Sequence, residues 1–207
     1  MDSISLQLKA ACFAGDIGEV QQLLDLGADP NSTDEHGSGT LLTFEPAMVE
    51  YLVARGADPN IQTNENGASV LAGLAFANHI ECVRVLLRAG ADANRGREES
   101  GETPLHHALS NNDSDRVSLV KLLLDHGADP NARTKPGIRS CNFWRDARTR
   151  GETPLHRAAA YAPAETIKML LAAGADRAIR DVNGDSPLGW ASWHLADWKI
   201  IALLGGE

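Results

Sequence analysis

The sequence predicts an all-α solenoid of about six helix-turn-helix repeats. Three observations carry that prediction. The phrase Gly151-Glu152-Thr153-Pro154-Leu155-His156-Arg157-Ala158-Ala159 occurs nearly letter for letter from Gly101 to Leu109. A second phrase, Gly-Ala-Asp, closes a unit at residues 27–29, 56–58, 90–92, 127–129 and 174–176. Ahead of each close stand aliphatic residues spaced as in Val20, Leu23 and Leu24, which puts them on one helical face.

Taken in order, the first repeat (residues 3–31) serves as N-terminal cap and ends its second helix at Gly27, a residue that tolerates the left-handed conformation just past a helix. The second repeat (32–60) is short: Asn31 to Asn60 is only 29 positions. Its second helix is intact through Val49 and Leu52, so the deficit falls in the first. Pro46 suits a helix start, which leaves a one-turn or irregular segment over Gly39–Glu45. The third repeat (61–94) carries a worn opening, Ser69-Val70-Leu71-Ala72, and the fourth (95–131) restores Thr103-Pro104-Leu105-His106. Polar loop residues, Asn111 to Asp115, separate the fourth repeat's helices. The fifth (132–178) begins with a surplus segment, 132–150, and the sixth (179–207) is a C-terminal cap with Trp190, Trp193 and Trp198 as cover for the core.

A Thr-Pro-Leu-His opening with a Gly-Ala-Asp close, repeated about every 33 residues, resembles the ankyrin-repeat family over almost the whole chain. The resemblance implies a single array, residues 1–207, with β-hairpin-like turns between repeats, and non-catalytic protein-protein recognition by a monomer through its concave face and the 132–150 loop. It also implies that Thr103 with His106, and Thr153 with His156, are structural, each pair bonded to itself and to the neighbouring repeat. Outward positions of the first helices would then face a partner: Phe13-Ala14, Phe76-Ala77, Ser110-Asn111, Ala160-Tyr161 and Trp193-His194. Phe13, Phe76, Tyr161 and Trp193 thus form either an interrupted aromatic row for binding or local cover for terminal and shortened repeats.

Composition narrows the function class. The formal charge of −9 argues against general nucleic-acid affinity, and no apolar run approaches the roughly 20 residues of a membrane span. Cys12, Cys82 and Cys141 are too few and too scattered for a disulfide framework, and the N-terminus has no signal-peptide pattern, so a cytoplasmic setting is expected. No phosphate loop, nucleophile elbow or dinucleotide fingerprint is present, and neither motif histidine has a second ligand at metal spacing. Catalysis, cofactors and metals are therefore not expected.

The surplus segment is distinctive. Residues 132–150 carry a local charge of +5, against −12 over residues 1–131 and −2 over 151–207. Arg139, Arg145, Arg148 and Arg150 flank Phe143-Trp144. Planar guanidinium forks and rigid aromatics suit an acidic or phosphorylated segment of a protein partner. The open alternatives are that the finger folds back on the repeats or is disordered, that the chain occludes a partner enzyme as an inhibitor, immunity or effector-type protein, or that the finger holds single-stranded nucleic acid.

Overall fold

The computed structural model describes residues 3–33, 39–63, 67–110, 116–140 and 148–205. Helices α1 (Ser3–Ala14) and α2 (Ile17–Asp25) form the first pair, and α3 (Pro46–Ala54) is the one helix among the described residues of the second repeat. Then come β1 (Gln62–Thr63) and β2 (Ala68–Ser69), an antiparallel ribbon with Gln62 opposite Ser69. Four further pairs follow: α4 (Val70–Phe76) with α5 (Ile80–Arg88), α6 (Pro104–Ala108) with α7 (Val117–Asp125), α8 (Pro154–Tyr161) with α9 (Ala164–Ala172), and α10 (Pro187–Trp193) with α11 (Trp198–Gly205). First helices stack as α4, α6, α8 and α10, and second helices as α3, α5, α7, α9 and α11. The core runs between these two layers, through Leu8, Val49, Leu71, Val83, Leu105, Val120, Leu123, Leu155, Ile167 and Leu170, all nearly inaccessible.

The Gly-Ala-Asp letters each have a physical task. Gly27, Gly56, Gly90, Gly127 and Gly174 all take positive φ, between 82° and 96°. At each of them the glycine N–H and the next alanine N–H close the helix end with paired bonds, as in Gly127 N to Leu124 O and Ala128 N to Leu123 O, both 3.0 Å. The alanine is buried at every copy. The aspartate bonds the backbone two residues on, as Asp129 does with Asn131 N at 2.8 Å.

That asparagine then reaches the following repeat. Asn94 Nδ2 donates to Gly127 O at 2.8 Å while its Oδ1 accepts from Asp129 N at 2.7 Å. Asn31, Asn60 and Asn131 make the same two bonds one repeat on, and the ladder stops where Ala178 takes the asparagine's place.

In the second repeat, Pro46 is the first residue of α3, and the described residues 39–45 before it hold turns and no helix. Leu41 fills part of the space a first helix would occupy and is 1% exposed. Leu42 lies against Gly73 of α4, where an added Cβ would meet it at 3.1 Å, and the Thr43 hydroxyl donates to Cys12 O at 3.2 Å. The expectation for the C-terminal cap needs correction. Trp190 is buried, its indole N–H donating to Asp181 at 3.1 Å, but Trp193 and Trp198 are 77% and 72% exposed. With no further repeat beyond α10 and α11 among the described residues, only the side of the cap facing α8 and α9 offers burial.

Candidate recognition groove

The surplus segment is stitched to the array along its base. Thr134 N donates to Glu152 O and Lys135 N to Ser100 O, so the segment leaves the fourth repeat already bonded on both sides. An antiparallel stem comes next: Gly137 N donates to Thr149 O, Thr149 N donates to Ile138 O, and Arg139 pairs with Arg148. Arg97 Nη1 donates to Arg139 O at 3.0 Å, and Val182 N donates to Arg150 O at 2.8 Å. The stem is therefore part of the fold.

Beneath it lies a buried ionic cluster. Arg157 of α8 has no exposed surface. Its Nη2 is 2.7 Å from both Glu102 Oε1 and Glu152 Oε1, and its Nη1 donates to Ser110 Oγ at 2.7 Å and His106 O at 3.2 Å. The carboxylates in turn hold the stem. Ser140 Oγ donates to Glu102 at 2.6 Å; Thr134 Oγ1 and Arg150 N donate to Glu152 at 2.7 and 2.6 Å. Burial alone would raise both carboxyls, but the Arg157 charge and these bonds outweigh it and hold each down at about 2. The same guanidinium is held charged: burial opposes its charge, and the two carboxylates more than compensate.

The motif histidines lock the repeats from within. His106 Nδ1 accepts the Thr103 N–H at 3.2 Å and lies 2.9 Å from its hydroxyl, so Nε2 carries the proton toward Glu152 O at 3.3 Å. His156 repeats the arrangement with Thr153 and reaches Asp185 O at 3.1 Å. Burial, helped by the Arg157 charge, pushes His106 down to about 3, and burial lowers His156 as well. Both are neutral hydrogen-bonding groups near neutral pH.

Between the stem and the C-terminal cap opens a groove of about 860 Å³. Arg148 and Arg150 line one wall, and Tyr161, Trp190, Trp193 and His194 line the other. Arg148 Nη1 donates to Gly137 O at 2.8 Å, and the Arg150 guanidinium lies over the Trp190 ring, 6.0 Å from its centroid. Tyr161 and His194 meet edge to face at 5.1 Å, with the phenol oxygen 3.3 Å from Nε2. His194 Nδ1 lies 2.9 Å from Trp190 O, which makes it the donor and leaves Nε2 to accept from Tyr161. Of the acids on the lining, Glu152 is spent on Arg157, and Asp185 is half-buried.

The structure thus brings together Arg148, Arg150, Tyr161 and Trp193, which the sequence singles out for two unrelated reasons. Arg139 is exposed on the opposite strand of the stem. Phe13, half-exposed beside Lys9, and Phe76, half-buried, do not line the groove, so the aromatic row does not form one continuous surface. Ser110 is buried under Arg157 and does not face outward. Phe143, Trp144 and Arg145 lie outside the described residues, as do Cys141 and Asn111. Among the described residues, no helix is long and apolar enough to cross a membrane, and no three His, Cys, Asp or Glu side chains gather as a metal site.

Comparison with known proteins agrees with this geometry. A family model of ankyrin repeats in three copies matches residues 43–134, and a single ankyrin-repeat model matches 150–182. The chain is similar to the mouse B-cell lymphoma 3 protein homolog, at 29% identity over 91% of this chain and 39% of that protein. It is also similar to the putative ankyrin repeat protein FPV031 of fowlpox virus, at 34% identity over 76% of this chain and 42% of that one. The chain spans well under half the length of these curated relatives. Among solved structures, it matches a chain from the complex of a predatory endopeptidase with an immunity protein, from Bdellovibrio bacteriovorus. That match has a TM-score of 0.74 at 21% identity and covers 97% of both chains.

Proposed function

The chain belongs to the ankyrin-repeat family, and from that premise we propose that it is a non-catalytic recognition module whose protein partner lies in the groove between the basic stem and the C-terminal cap. One observation carries the proposal: two arginines of the surplus segment and two aromatics of the first-helix row line the same cavity. Arginine and aromatic side chains in a partly desolvated groove are the usual anchors of a protein interface. The −12 charge over residues 1–131 repels an acidic partner from the rest of the array and so directs it to the stem.

The test is selection of binding peptides by display on the wild-type chain, followed by titration against Trp193→Ala and Arg148→Glu. Both side chains are exposed, so the variants should melt with the parent. The proposal expects each to weaken the selected ligands by about tenfold or more. Ligands that bind the variants as well as the parent would refute it.

A second reading, occlusion of a partner enzyme, draws on the whole-length likeness to a chain of the endopeptidase and immunity protein complex. At 21% identity that likeness is one of fold. Inhibition of a peptidase by the wild type, lost in the two groove variants, would favour this reading over plain scaffolding.

A further inference from the structure

Granted that the groove is the binding site, its arginine wall also defines the pattern of the bound segment. Arg148 pairs antiparallel with Arg139, and the last three residues of the surplus segment alternate in their bonding as a strand does. Thr149 N and O turn toward the other strand of the stem, while Arg150 N and O turn away, to Glu152 and Val182. Side chains alternate in step: Arg148 exposed, Thr149 3% exposed, Arg150 exposed. Period two is the signature of a strand, so the two guanidiniums leave one face of it about 7 Å apart. Both heads are pre-set, Arg148 by Gly137 O and Arg150 by the Trp190 ring.

We infer that the groove takes an extended acidic segment whose carboxylates stand at alternate positions, acid-x-acid; the inference rests on the groove being the site of recognition. A strand laid along Arg148–Arg150 presents its own alternate side chains at the same spacing of about 7 Å, one carboxylate per guanidinium. Adjacent acids would point to opposite faces, and acids three apart in an extended chain would again fall on opposite faces. The residue between the two acids points away from the arginine wall. A flanking apolar side chain meets Tyr161 and Trp193 on the other wall. Accessibility supports the same occupant: of the lining acids, Glu152 is buried and shares the Arg157 cation with Glu102, and Asp185 is half-buried, so Arg148 and Arg150 are the exposed charges of the lining.

The test uses synthetic fluorescent peptides of one composition, with a leucine beside two aspartates placed one, two or three positions apart, read by anisotropy on the full chain. The expected result is a preference of roughly tenfold for the alternate spacing. It should disappear in Arg148→Glu and Arg150→Glu and return, for the double variant, with a Lys-x-Lys peptide. Two outcomes overturn the inference. If all three spacings bind equally and Trp193→Ala still abolishes binding, the groove reading stands and the spacing falls. If no peptide responds to Trp193→Ala or to either arginine variant, the groove reading falls with it.

Discussion

Replacing Arg157 by Met isolates the energetics of the buried cluster. Methionine keeps much of the aliphatic volume but leaves Glu102 and Glu152 facing each other without a cation, at 0% and 1% exposure. In the wild type, each carboxyl has moved from 4.5 to about 2. At about 1.4 kcal/mol per unit, a shift of that size is worth about 3 kcal/mol per group. Removing one partner of a buried pair costs about 3–5 kcal/mol, and here two carboxylates lose the same partner, so the upper end is expected. Wild-type carboxyls sit below their unfolded value, so their contribution is present above about pH 4.5 and is lost as pH falls toward 2. In the variant the pair is pushed above the unfolded value, so its penalty is greatest at neutral pH and relaxes on mild acidification. The assay is urea unfolding near pH 7 and near pH 5, with hydrogen exchange of α8 and the stem, because arrays can open repeat by repeat. A deficit below about 1 kcal/mol at neutral pH, or one that grows in acid, would refute the reasoning.

His106, held near 3 against an ordinary 6.5, must stay neutral in the fold; wild-type stability should therefore decline as pH falls from about 6.5 toward 3, visible in urea midpoints over that range. Asn94→Ala removes two bonds between neighbouring repeats and should cost about 1–3 kcal/mol, with faster exchange of the Asp129 amide as the local readout. The second repeat, with α3 and no first helix among its described residues, should exchange before α5, α7 and α9; finding α3 among the best-protected segments would contradict the packing argument.

The parts legible in the sequence are those whose physics is local. Gly-Ala-Asp encodes a helix end within three letters, and the proline of Thr-Pro-Leu-His marks a helix start wherever it occurs. The buried cluster is not legible because Arg157 follows the motif as an ordinary polar letter, and polar letters are expected in solvent. A signal is present: the Gly-Glu pair precedes Thr-Pro only in the two copies that flank the surplus segment. Ser110 is misplaced for the same reason, since its partner lies 47 residues away. Counting charge singles out the arginines of the finger and passes over Thr134, Ser140 and Thr149, whose uncharged hydroxyls also fasten the stem. The groove needs the fold as well. Nothing local places Arg148 and Trp193 on one cavity; the stem is brought beside the cap where Val182 N closes on Arg150 O. Trp198 shows the converse error, where an apolar side chain is expected as cover although the described cap has nothing beyond it to cover.

The asparagine ladder crosses both irregularities without a break. It passes the shortened second repeat from Asn31 to Asp58, and it passes the surplus segment from Asn131 to Asp176. Deletion and insertion alike are taken up between its rungs, so one edge of the solenoid behaves as a spine of constant pitch while the other edge varies in length. Such a spine makes the stem a replaceable part. A different hairpin could be grafted between Thr134 and Thr149, with the Glu102 and Glu152 anchors kept, and the register of the repeats on either side would not have to change.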